Sequence, residues 1–167
     1  MTGIANYAPD EVNVLVAGII PISGFTNGSF IRINKMMQPF ESRRTADGRV
    51  MRLYNRDATY EVALTLHSAS PSNDVLTKLW QLDEITQKGK FPLLIKDQSG
   101  SDLFFSTTTW IEQVPVMDKD VTINDKIWVL KSSQAFINIG GNASASSLIQ
   151  DLINTATSAL PTLEGIL

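Results

Sequence analysis

The sequence predicts a mainly β, α+β protein: mostly antiparallel strands with one helix, a long loop and a C-terminal arm. Three observations carry this. Short runs rich in β-branched and aromatic residues alternate apolar and polar positions. One stretch, residues 73–88, instead repeats Val75, Leu76, Leu79, Leu82 and Ile85 at three- and four-residue steps. A chain of 167 residues with 43% apolar content is enough to bury one core. The expected organisation is an N-terminal arm over residues 1–10, a β domain over 11–140, and a linker and arm over 141–167.

Residues 12–22 read as a strand, with Gly18 and Pro21 marking a bulge or exit. After a glycine-flanked turn at 24–28, the alternation Phe30-Ile31-Arg32-Ile33-Asn34 gives its hairpin partner. Residues 35–48 show no period and end in Asp47-Gly48, so they read as a long connection, a length that is usually functional in a compact domain. Residues 50–54 and 58–67 alternate again and form a second expected hairpin across Asn55-Arg56-Asp57. The helix has Ser70 or Ser72 as its cap, Pro71 in its first turn, and Lys88-Gly89-Lys90 as a basic last turn with a glycine stop. Strands follow at 91–96, 103–111 and 127–139, with a polar link at Asp118-Lys119-Asp120. Beyond Gly140-Gly141, the residues Leu148, Ile149, Leu152 and Ile153 outline a short amphipathic arm, too small to be stable alone.

No apolar run approaches the roughly 20 residues of a membrane span, and the first residues lack the basic and apolar parts of a secretory signal. A cytoplasmic start is expected. With no cysteine there is neither a disulfide nor a thiolate metal site. The net charge of −3 is unevenly spread: seven basic residues stand against two acidic ones in 32–56, a local +5, leaving −8 on the rest. This split suits head-to-tail self-association, and it equally fits a solvated basic loop.

Catalytic parts are scarce. His67 is the one histidine, placed at a strand end with no serine or acidic partner at a recognisable spacing. No nucleophile elbow or phosphate loop occurs. Asp118, Asp120 and Asp125 lack the glycine and terminal glutamate of a calcium loop and are interleaved with Lys119 and Lys126. No catalytic residue, cofactor or metal is therefore expected. Direct nucleic-acid binding is disfavoured, because the basic stretch carries only Phe40 and Tyr54 as stacking rings and the sequence pI is near 5.1. A small ligand-binding module using Trp80, Trp110 or Trp128 as platforms is a reading of a different class. Indoles at strand positions more often pack in cores or interfaces.

The run Ile31-Arg32-Ile33-Asn34-Lys35 to Phe40, then Thr45-Ala46-Asp47-Gly48-Arg49-Val50 and the hairpin after it, resembles the tail-tube proteins of contractile-tailed bacteriophages. The order of elements over residues 12–140 is similar too. The resemblance implies an antiparallel β-sandwich or partly closed barrel with one flanking α-helix, whose hexameric rings stack into a hollow tube in the virion tail, assembled in the host cytoplasm. It further implies a tape-measure protein inside, a sheath outside, and baseplate hub and terminator proteins at the ends. Genomic DNA would pass through the lumen without specific binding, and an acidic balance would keep it from adhering. Phage-like bacteriocins and type VI secretion systems use tube proteins of the same architecture. In this setting Lys35, Met36, Met37, Phe40, Arg43, Arg44 and Arg49 are expected to reach the adjacent ring, and Leu148, Ile149, Leu152 and Ile153 to pack on a neighbour.

Overall fold

The computed structural model describes residues 9–28, 30–141 and 154–155. After a 3-10 turn at Pro9–Glu11, the described residues form ten strands and a fifteen-residue α-helix, with residues 154–155 also helical: β1 (Val12–Val16), β2 (Ile20–Ile22), β3 (Ile31–Lys35), β4 (Phe40–Arg44), β5 (Val50–Tyr54), β6 (Tyr60–Leu66), α1 (Ser72–Thr86), β7 (Phe91–Asp97), β8 (Leu103–Gln113), β9 (Lys126–Ser132) and β10 (Phe136–Asn138). A single antiparallel sheet runs β2-β1-β7-β8-β9-β6-β3, with β10 beside the start of β8, while β4 and β5 pair only with each other.

Cross-strand register turns sequence alternation into one continuous buried face. Val14 lies opposite Ile95, Ile95 opposite Phe104, Ile111 opposite Leu130, Leu130 opposite Val62, and Leu64 opposite Trp128. All of these side chains are buried. One helix cannot cover a face of this length, so the sheet curls on itself. Its far-separated strands β1 and β3 line one apolar groove of about 380 Å³ with β7, β8 and β10, through Val12, Ile31, Ile33, Ile95, Phe104 and Ile137. The result is the mainly β, antiparallel arrangement with one flanking helix that the strand and helix patterns predicted, and the sheet does not close into a barrel.

α1 packs against β8. Asn73 holds it there: its side-chain amide donates to the His67 and Ser70 carbonyls, and its Oδ1 accepts from Trp128 Nε1 at 2.9 Å. Ser70 Oγ donates to the Ser23 carbonyl and the Ser23 amide donates to Ser72 Oγ. This close approach requires Gly24, which has φ +76° and where a Cβ would lie 2.6 Å from Ser70.

Several sequence expectations are corrected. The segment at 30–34 is not the hairpin partner of 12–22: β1 turns through Ala17 and Gly18 into β2, and β3 pairs with β6. The second expected hairpin also fails, because β5 pairs with β4 rather than β6; the supposed long connection is half of that ribbon. The helix ends at Thr86 with Gln87 in the left-handed conformation and no basic last turn. Gly89 instead packs against Asp83, whose carboxylate accepts its N–H. Of the helix's apolar stripe Leu76 is buried, but Leu82 and Ile85 are exposed. The last strand is interrupted at 133–135, where the Gln134 carbonyl accepts from Ser106 Oγ.

Replacing the fully buried Leu64 with alanine should lower stability by about 2–5 kcal/mol. The same change at Ile85, which is 82% exposed, should move it by less than about 0.5 kcal/mol. Urea unfolding of the two variants checks the contrast.

Candidate assembly surfaces

The β4–β5 ribbon leaves the sheet where β3 ends and β6 begins, closed at its base by the Asn55 amide donating to the Pro39 carbonyl at 2.8 Å. Its tip is a tight turn in which Thr45 N–H and Oγ1 both donate to the Arg49 carbonyl, and Gly48 takes positive φ. Thr45 Oγ1 also donates to Asp47, which holds that carboxyl below its ordinary value. Every strand residue of the ribbon is exposed.

Alternation gives the ribbon two faces. On one, Phe40 meets Tyr54 with ring centroids 5.4 Å apart, and the Arg52 guanidinium lies 3.4 Å over the Phe40 ring. Such stacking presents a flat aromatic and cationic surface. Val50 and Arg44 continue this face, while Glu41, Leu53, Arg43 and Met51 form the other. The pairs Arg43–Glu41 and Arg49–Asp47 are solvent-exposed and add little stability. Arg44, Arg52 and Arg56 make no ion pair among the described residues.

The structure brings Phe40, Arg43, Arg44 and Arg49 together on this ribbon, with Met36 and Met37 exposed at its root. Lys35 lies apart from them at the end of β3, with its ammonium 4.6 Å from the centre of the Tyr60 ring. Val50, Met51, Leu53 and Tyr54 were not among the expected contact residues. A legible signal existed, since two five-residue segments flank Thr45-Ala46-Asp47-Gly48-Arg49 symmetrically. The expected arm contacts Leu148, Ile149, Leu152 and Ile153 lie outside the described residues.

A second surface went unrecognised in the sequence. The loop 114–125 between β8 and β9 exposes Val116, Met117, Val121 and Ile123, with Val121 fully open to solvent. Its conformation is held from within. Lys126 Nζ donates to Asp118 at 2.7 Å and to the Val116 carbonyl at 2.8 Å, Asn124 donates to Asp118, and Thr26 Oγ1 donates to Asp125. Lys126, with Asn124, keeps the Asp118 carboxyl below its ordinary value. From Glu112 to Asp125 four carboxylates stand against Lys119, a net of −3. Asp120 and Asp125 have no cationic partner among the described residues.

The indoles do not form a platform. Trp128 is buried, and Trp110 donates to Glu112, whose carboxyl is lowered first by that bond and then by Lys131. Trp80 and Trp110 share an open groove between α1 and β8 with Asp83, Glu84 and Lys90. Among the described residues no group of three or more potential ligands gathers to hold a metal ion. His67 caps a turn, its Nδ1 accepting from the Ala69 amide. No helix of the described residues is long and apolar enough to cross a membrane.

Comparison with known proteins finds one phage structural protein and several solved structures of similar fold. The chain is 29% identical over 156 residues to structural protein ORF10 of Pseudomonas phage KPP10, covering 89% of this chain and 90% of that protein. Its fold is similar to the tube-terminating cap of the anti-feeding prophage, with a TM-score of 0.57 at 13% identity over 83% of this chain and 94% of the cap. It is also similar to the sheath/tube terminator of the PVC extracellular contractile injection system in its extended state, with a TM-score of 0.55 at 13% identity over 80% of this chain and 97% of that one. No family model matches the chain.

Because the folded-state pKa of Asp118 is lowered, its bonds add order above its ordinary value of 3.8, and that contribution fades as pH falls below 3.8 through the folded value. Asp118→Asn should therefore speed amide exchange over residues 114–125 at pH 7, with the difference from the native chain shrinking in acid. Equal exchange at pH 7 would refute the anchoring role.

Proposed function

We propose that this chain is a structural subunit of a contractile tail, a virion component that associates side by side into rings of six. The rings stack into a tube that carries DNA inside a sheath. The protein is structural and not an enzyme. One observation carries the reading: two exposed surfaces, each mixing large apolar groups with charge, stand on a fold similar to tube-end proteins. Exposed apolar surface at this density marks an interaction site. The ribbon bearing Phe40, Arg43, Arg44 and Arg49 is the element that reaches the adjacent ring. Leu148, Ile149, Leu152 and Ile153 pack on a neighbouring subunit, and residues 11–140 form the ring-building domain between two arms. Tape-measure, sheath, baseplate hub and terminator proteins are the other partners.

A second reading, a ring that caps a tube, is favoured by the tube-end identity of the two similar structures. Negative-stain microscopy of the purified chain separates the two. Stacked hollow tubes support the first, isolated rings the second, and a persistent monomer refutes both. Replacing residues 39–55, the whole closed ribbon, with a short glycine-serine link should leave thermal unfolding of the sheet essentially unchanged and abolish tubes while permitting rings. Normal tubes from this variant would remove the ribbon from stacking.

A further inference from the structure

The strand register places the two exposed surfaces at opposite ends of the subunit. β6 pairs with β9 from Tyr60 opposite Ser132 to Leu66 opposite Lys126. The ribbon rises from the Tyr60 end, where Lys35 of β3 also terminates opposite Tyr60. The loop 114–125 leads directly into Lys126, and its Asp125 is bonded to Thr26 beside the Phe25–Leu66 bridge. It therefore belongs to the Leu66 end. Seven extended residues separate the two ends by about 20 Å.

The surfaces match in kind and oppose in sign. From Phe40 to Arg56 five arginines stand against two carboxylates, a net of +3, while residues 114–125 hold three carboxylates against Lys119, a net of −2, with Asp118 bonded to Lys126. Arg44, Arg52 and Arg56 at one pole have no ionic partner among the described residues, and at the other Asp120 and Asp125 have none, against one unpaired cation, Lys119. The apolar groups are also matched: Val50, Met51 and Leu53 on the ribbon, and Val116, Met117 and Val121 on the loop. Methionine on both sides adapts to an imperfect fit.

We propose that the ribbon of one copy docks on the 114–125 loop of the next copy, head to tail. This rests on the stacking role given to the ribbon above and names the surface that receives it. Complementary charge favours this pairing over ribbon-to-ribbon or loop-to-loop contact, both of which set like charges together. The contact is heterologous, so each copy keeps a free ribbon at one pole and a free loop at the other, and the assembly can extend.

The absence of cysteine from the chain permits a clean test. Met51→Cys and Val121→Cys are made as separate variants with tags of different mass, mixed in equal amounts, assembled and mildly oxidised. A disulfide-linked heterodimer on a non-reducing gel is expected from the mixture, with little homodimer from either variant alone. Arg44→Glu and Asp120→Arg should each reduce assembly, and their combination in one chain should restore it. Tubes that form normally without the heterodimer, or charge reversals that fail to rescue each other, would overturn the docking while leaving the tube reading intact. A native chain that stays monomeric would overturn the tube reading and the docking with it.

Discussion

The seven-residue pairing of β6 with β9 is the constraint on which the rest of the molecule depends. Tyr60, Val62, Leu64 and Leu66 on one strand and Trp128 and Leu130 on the other are buried, while the residues between them are not. Each large apolar side chain fully buried in this way contributes on the order of 1.5–3 kcal/mol. Slipping the pair by one residue would turn the set to the opposite face, so the register is strongly specified. Fixing that register also fixes where β3 hands over to the ribbon and where the loop enters β9. The core thus determines the separation of two surfaces that contribute little to it.

The ribbon itself violates the economy of the sheet. Two isolated antiparallel strands are marginal in water, and here every one of their strand side chains is exposed. The Asn55–Pro39 bond, the Thr45–Arg49 turn and the stack of Tyr54, Phe40 and Arg52 hold it in shape without giving it a covered face. The 114–125 loop follows the same pattern, being ordered by Lys126 and Asn124 while its apolar residues point outward. In both, polar groups make the internal bonds and apolar groups remain available. That is the reverse of a self-contained surface loop.

What was legible in the sequence follows the strength of local periodicity. β6 alternates over seven residues, β7 and β8 are runs rich in apolar, aromatic and β-branched residues, and the helix has its three- and four-residue steps, so their types were readable. Pairing was not, because alternation says that a strand has a buried face but not which strand lies beside it. The segment 50–54 was assigned to its nearer neighbour in sequence, across Asn55-Arg56-Asp57, whereas its partner is 40–44. Asn55 and Asp57 do form local turns, with Asn55 accepting from the Asp57 amide and Asp57 from the Thr59 amide, but these turn the chain out of the ribbon rather than closing a hairpin. In 40–44 the presence of Glu41, Ser42, Arg43 and Arg44 masked the strand, since four of its five positions are polar and give no hydrophobic alternation. The 114–125 loop was hidden for the same reason: Val116, Met117, Val121 and Ile123 have no period, and only their exposure in the folded chain distinguishes them from core residues.

Unlike poles on a single subunit have a consequence for length. In an isologous contact the same patch is used on both partners and association stops at the pair. Two different patches at opposite ends would leave one unsatisfied end of each kind however many copies joined, so a subunit docking as proposed would encode direction but no end point. A stack built through the ribbon and the loop would expose ribbons at one terminus and loops at the other. Each terminus would then require a differently shaped and oppositely charged cap. A capping protein on the same fold meets that need economically if it keeps one pole and alters the other.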